Sequence, residues 1–174
     1  MPDHTSDLTN RVARRLEAER VSWRNGFDPT AAELNAKFSN AKVRGGSAHR
    51  QEIRRLCAAE LHRRSVVTAD ALLSEHKKMS ESPRDDVTAS CKDWLANRIA
   101  EEAADLQMHL WSPRAAFGET GAGDNLDECC RTESESVFAH VDSYMGQLRR
   151  ERTERGIRRA TRMLAWIRKA LRLP

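Results

Sequence analysis

Arg55 and His62 lie seven positions apart in a stretch whose apolar residues recur at helical spacing. Arginine and histidine are residue types that can act together in the cleavage of RNA. Seven positions are almost two full helical turns, so both side chains fall on one face of the helix. Histidine can act as a general acid or base, and arginine can steady a phosphate as charge develops. The pair therefore raises a helical enzyme such as a metal-independent ribonuclease as one alternative, beside the simpler interpretation of two solvated surface residues.

Residues of metal-binding types occur close together at two places. Asp105 and His109 are four positions apart, a spacing typical of an ion pair on a helix surface. Cys129 and Cys130 are adjacent, and adjacent helical positions point about 100° apart, so the two thiols cannot easily hold one metal. The sequence therefore predicts no metal and no cofactor. It leaves open whether Cys129 and Cys130 have a metal or redox role.

Motifs of nucleophilic catalysis and of phosphate-binding loops do not occur in the sequence. No G-x-S-x-G nucleophile elbow is present. The glycine-rich stretch Gly118–Gly123 lacks the GK[ST] ending of a phosphate-binding loop, and no strand is predicted before it. That stretch is typical of a flexible linker instead. We therefore expect a binding protein rather than an enzyme.

Positive charge is concentrated near the C-terminal end of the sequence. Positions 149–173 hold ten basic and two acidic residues, a net charge of +8, whereas the whole chain carries +4. The remaining residues therefore sum to −4. Clustered arginines can neutralise phosphates, and an aromatic ring can stack on a base. The sequence predicts nucleic-acid binding through this helix, by Arg155, Arg158, Arg159, Arg162, Trp166, Lys169 and Arg172.

The same helix has an apolar face. At 100° per residue, seven apolar residues fall in one arc of about 140°, and these are Ile157, Ala160, Met163, Leu164, Ile167, Ala170 and Leu171. Such an arc packs on the protein's own core, a second copy, a partner groove or a lipid surface. A lipid surface is less favoured, because the arc has no Phe and Trp166 lies among the arginines. The alternative prediction is a protein-interaction or self-assembly module that uses Ile157, Leu164, Ile167 and Leu171.

Helical spacing of apolar residues continues through most of the chain, and no segment alternates as a strand does. Asn25-Gly26 predicts the end of a helix and Asp28-Pro29 the start of another. Ser112-Pro113 predicts one more short helical turn, and a kink is expected between Leu148 and Ile157. Cys57 and Cys91 fall on apolar stripes and are predicted to be core residues.

These patterns predict an all-α helical bundle of five or six helices with a long basic amphipathic C-terminal helix. Residues 1–123 would form the helical core region, and residues 124–174 would pack on that core or extend from it. Apolar residues are 39% and charged residues 32% of the chain, which indicates helices in few layers with much exposed surface. Because no signal peptide is evident, we expect a cytoplasmic protein, or a nuclear one in a eukaryote. The expected partner is nucleic acid or an acidic protein surface, with homo-oligomers as a further option.

Overall fold

The computed structural model describes residues 4–42, 46–79, 85–115 and 126–170. These residues form four helices, which are α1 (His4–Asn40), α2 (Ser47–Lys78), α3 (Asp85–Ala115) and α4 (Asp127–Ala170). No strand occurs within the four described ranges. The all-α prediction is confirmed, whereas the described residues contain fewer helices than the five or six expected. Gly118–Gly123, the predicted linker, lies outside them.

The predicted break near Gly26 is wrong, because α1 continues through Asn25, Gly26 and Pro29. Inside a helix, glycine costs about 1 kcal/mol and proline about 3 kcal/mol relative to alanine. Trp23 and Phe27 flank the same stretch and are buried in the core. Burial of each ring is worth about 2–3 kcal/mol, so packing outweighs the local preference to stop. The separate helical turn predicted to begin at Ser112-Pro113 is wrong as well, since both residues lie inside α3, which continues to Ala115.

The four helices alternate in direction. Arg20 contacts Glu102, and further along both helices Asp28 contacts His109, so α1 and α3 run parallel. α2 and α4 also run parallel to each other, and antiparallel to the first pair. α2 and α3 contact each other and both outer helices, whereas no Cα atoms of the described parts of α1 and α4 lie within 8 Å of each other. The cross-section is therefore a rhombus, with α2 and α3 on its short diagonal.

Apolar side chains from all four helices form one core. The stripe on α3 that contains Val87, Leu95 and Leu106 is buried along its length. Cys57 and Cys91 are completely buried, which confirms their prediction as core residues. Burial raises the pKa of Cys57 to about 12 and the pKa of Cys91 to about 11. Both thiols are therefore protonated at neutral pH and behave as small apolar groups.

A buried guanidinium lies at the centre of the bundle. Arg64 of α2 is only 2% exposed. Its guanidinium donates hydrogen bonds to the carboxylates of Glu60 at 2.8 Å, Glu102 at 2.8 Å and Asp105 at 3.0 Å. The same guanidinium lies 5.5 Å from the centroid of the Trp23 ring. Arg64 thus joins α2 to α3 by hydrogen bonds and to α1 by a cation–π contact.

Further arginines complete this ion-pair network. Glu102 is also buried, and it accepts a hydrogen bond from Arg20 of α1 at 3.0 Å and lies 3.2 Å from Arg98. Asp105 accepts a hydrogen bond from Arg24 of α1 at 3.1 Å. Each buried charge is therefore paired, which is the condition under which an ion pair is tolerated in a protein interior.

Three groups of this network have pKa values that are shifted toward the charged form. Burial by itself would raise the pKa of Glu60, but hydrogen bonds from Arg63 and Arg64 outweigh it and lower that pKa. Burial would likewise raise the pKa of Asp105, and hydrogen bonds from Arg64 and Arg24 lower it. Burial opposes the charge on Arg64, yet its three carboxylate partners raise its pKa. The three groups therefore hold one another in the charged form.

We predict that Arg64→Ala destabilises the bundle by about 3–5 kcal/mol, because its three carboxylate partners lose their most deeply buried cation and keep only more exposed arginines as partners. Arg63→Ala is the matched control. Arg63 is half-exposed, and its partner Glu60 keeps a hydrogen bond from Arg64, so we expect a loss of less than about 1 kcal/mol. Urea unfolding of both variants measures the difference. Equal losses would contradict a central role for the Arg64 network.

We also predict that the free energy of unfolding falls in acid. The pKa values of Glu60 and Asp105 are lower in the folded protein than their ordinary values of 4.5 and 3.8, so the unfolded chain binds more protons below those values. Their contribution is complete above about pH 5 and is lost as the pH falls through the folded pKa values. Urea midpoints measured from about pH 6 to about pH 3 test this. A midpoint that did not fall across that range would contradict it.

Candidate interaction surface on the projecting end of α4

α4 is longer than the bundle on which it packs. Val137, Val141 and Met145 are buried against α2 and α3, and Leu148 is the last residue that packs on the core. The next residue, Arg149, forms an ion pair with Asp85, the first residue of α3. From Arg149 to Trp166 every side chain is exposed. We call residues 149–170 the α4 extension, and at 1.5 Å per residue it projects about 30 Å beyond the bundle.

Local interactions rather than packing support the helix in the α4 extension. Glu151 accepts a hydrogen bond from Arg155 at 2.9 Å, and Glu154 accepts one from Arg158 at 3.3 Å. A glutamate four residues before a basic residue is the favourable order, worth about 0.2–0.5 kcal/mol for each pair. α4 is a continuous helix through Gly156. The kink expected between Leu148 and Ile157 stays a prediction.

Four of the predicted phosphate-binding arginines, at positions 155, 158, 159 and 162, lie on the α4 extension and face solvent. Arg155 and Arg158 have the glutamate partners just described. Within the described ranges, Arg159 and Arg162 form no ion pair, although both are exposed. Trp166 is 70% exposed. The helix includes Lys169, but its side chain, like all of Arg172, lies outside the described residues.

The predicted apolar arc is exposed as well. Ile157 is 61%, Met163 64% and Leu164 59% exposed. The side chain of Ile167 and all of Leu171 lie outside the described residues. An isolated exposed apolar side chain is ordinary, whereas several on one face of a helix indicate a surface that another molecule covers. The described part of the arc, from Ile157 to Leu164, thus does not pack on the bundle.

The alternative catalytic pair is not brought into a shared site. Arg55 forms an ion pair with Glu52 at 3.0 Å and lines a groove of about 620 Å³ between α1 and α2. His62 points elsewhere, because its ring nitrogen Nδ1 lies 2.8 Å from a carboxylate oxygen of Glu133 on α4. His62 does not line that groove. The two side chains therefore have different partners, and the groove that Arg55 lines does not bring them together.

The residues of metal-binding types also have other partners. Asp105 belongs to the Arg64 network, and His109 packs edge-on against Phe27 with 4.9 Å between ring centroids. The expected ion pair between Asp105 and His109 is therefore wrong, because α1 supplies both residues with partners. Burial chiefly raises the pKa of Cys130, which disfavours the thiolate that binds metals. In the part of the chain that the structure describes, no three His, Cys, Asp or Glu residues are placed to hold a metal.

Comparison with protein-family models, curated proteins and solved structures found no match to this chain. None of the described helices is long and apolar enough to cross a membrane. Any functional inference therefore rests on the surfaces themselves. Among them, the α4 extension is distinguished by its charge, its exposed apolar arc and its separation from the core.

Proposed function

We propose that the protein binds nucleic acid through the arginine face of the α4 extension. The observation that carries this proposal is that every residue from Arg149 to Trp166 is exposed and that seven of them are arginines. Double-stranded DNA carries one negative charge per about 1.7 Å of its axis, so a projecting basic helix can meet several phosphates at once. The rest of the chain is net negative, which directs the extension rather than the bundle toward the polyanion.

The glutamates that pair with Arg155 and Arg158 do not prevent these arginines from binding phosphates. The pairs of Arg155 with Glu151 and Arg158 with Glu154 are exposed, and such pairs are worth only a few tenths of a kcal/mol. Both arginines can therefore exchange a carboxylate for a phosphate at small cost. Arg159 and Arg162 have no ion pair with any described residue, so their phosphate contacts need no such exchange. Trp166 offers an exposed ring on which an unpaired base can stack.

A second candidate function is supported by a different observation on the same helix. Ile157, Met163 and Leu164 present an exposed apolar arc, which nucleic-acid binding by the opposite face leaves uncovered. A protein-interaction or self-assembly role would use that arc. The two functions use different faces, so substitutions can separate them.

We predict that Arg159→Gln combined with Arg162→Gln weakens binding to labelled mixed-sequence DNA and RNA. Removing two phosphate contacts should reduce the slope of log affinity against log salt concentration by about 2. Fluorescence anisotropy across a salt series measures this slope.

The matched control is Arg14→Gln combined with Arg131→Gln, which removes the same charge from exposed positions on the bundle. We expect this control to keep the parental slope. No binding by the parental protein at about 50 mM salt would contradict the proposal, as would an equal loss in both double variants.

A further inference from the structure

The apolar arc of the α4 extension has the spacing of a seam between two helices. Ile157 and Leu164 are seven positions apart, and Ala160 and Ile167 are also seven apart. These are the a and d positions of a heptad repeat, which meet a partner helix in coiled-coil packing. Ile157 and Leu164 are about 60% exposed, and Ala160 is exposed between them. The seam covers two heptads.

Charge is placed so that a second helix can approach this seam. Arg155, Arg158, Arg159 and Arg162 occupy the b, c and f positions, which point away from a paired helix. The flanking e and g positions from 154 to 163 are Glu154, Gly156, Thr161 and Met163, of which only Glu154 is charged. A partner at the seam would therefore leave the arginine face open.

We propose that the occupant is the α4 extension of a second copy of this chain, paired in the antiparallel direction about a two-fold axis. The best register sets Ile157 opposite position 167 of the second copy and Ala160 opposite its Leu164. At the centre of the pair, Leu164 of each copy then packs against Ala160 of the other, a large side chain against a small one, as close packing requires. A parallel pair would instead put Ala160 opposite Ala160 and leave a gap. The proposal rests on the second candidate function and does not require nucleic acid.

The antiparallel register is also favoured by charge and by space. It brings Glu154 alongside position 168 of the second copy, which is an arginine, and the two-fold axis repeats this complementary pair. It also places the two bundles at opposite ends of the paired helices, with their Arg149 residues about 39 Å apart along the helix axis. In a parallel pair both bundles would lie side by side at one end, about 12 Å from the start of the seam.

The strength of this association should depend on salt. The seam is short, so the buried area falls in the range of weak and transient interfaces. Two basic extensions repel each other, and added salt screens that repulsion. Self-association should therefore increase with salt, whereas nucleic-acid binding decreases with it. Because salt should change self-association and nucleic-acid binding in opposite directions, a salt series can contradict one proposal and leave the other intact.

Disulfide cross-linking through one introduced, exposed cysteine tests the direction of pairing. The native Cys57 and Cys91 are completely buried and do not interfere. In a Cys129→Ser, Cys130→Ser background, Met163→Cys and Ile157→Cys are each oxidised mildly in the full chain. In the antiparallel register position 163 faces its own counterpart across the axis, whereas position 157 does not. We expect covalent dimers from Met163→Cys and little from Ile157→Cys. The reverse result would overturn the antiparallel register and support a parallel pair.

Sedimentation velocity tests whether the chain pairs at all. We expect the dimer fraction to rise from about 0.05 M to about 0.5 M salt, over which the Debye length shortens several-fold. Leu164→Gln should abolish the dimer, and Arg159→Gln, on the opposite face, should keep it. Circular dichroism confirms that both variants stay folded. A parental protein that is monomeric throughout at high micromolar concentration would overturn the inference, whatever its affinity for nucleic acid.

Discussion

A charge buried inside a protein needs oppositely charged groups or hydrogen-bond partners around it. The guanidinium of Arg64 is such a charge, and the surrounding helices must supply its partners. Carboxylates from α2 and α3 meet it, and Arg20 and Arg24 of α1 balance those carboxylates in turn. The network therefore fixes three helices against one another. α4 takes no part in it and joins α2 and α3 mainly through apolar packing that ends at Leu148. The length of α4 beyond that point is independent of the fold.

This independence explains why the α4 extension can be both charged and apolar on opposite faces. A helix packed on the bundle along its whole length would hide its apolar arc. Here the extension is supported by pairs such as Glu151 with Arg155, which need no contact with the core. One face can then hold phosphates while the other holds a second copy. Dimerisation would double the number of arginines presented to one polyanion and raise its affinity through effective concentration.

Much of the fold was predictable, because apolar residues that recur at helical spacing, such as Val87, Leu95 and Leu106, are buried in the core. The break at Gly26 was mispredicted, since only the tertiary position of Trp23 and Phe27 shows that packing outweighs a local stop signal. The role of Arg64 was missed because a long basic side chain is usually solvated. A signal existed, since the apolar stripe through Leu61 and Leu72 passes through Arg64. Two of its three carboxylate partners, however, come from α3 and meet it only in the fold. The residues of the extension were predictable from charge, whereas its separation from the bundle was not.

The most direct test of the proposed role is the binding of the intact protein to labelled DNA and RNA across a salt series, beside a version that ends at Leu148. Truncation removes the Arg149–Asp85 pair but none of the side chains of the apolar core, so the shorter chain should fold and keep the circular dichroism signal of the bundle. We expect the intact protein to bind with an affinity that falls steeply with salt, and the shorter one not to bind. Undiminished binding by the shorter chain would contradict the account, because it would place the nucleic-acid surface on the bundle.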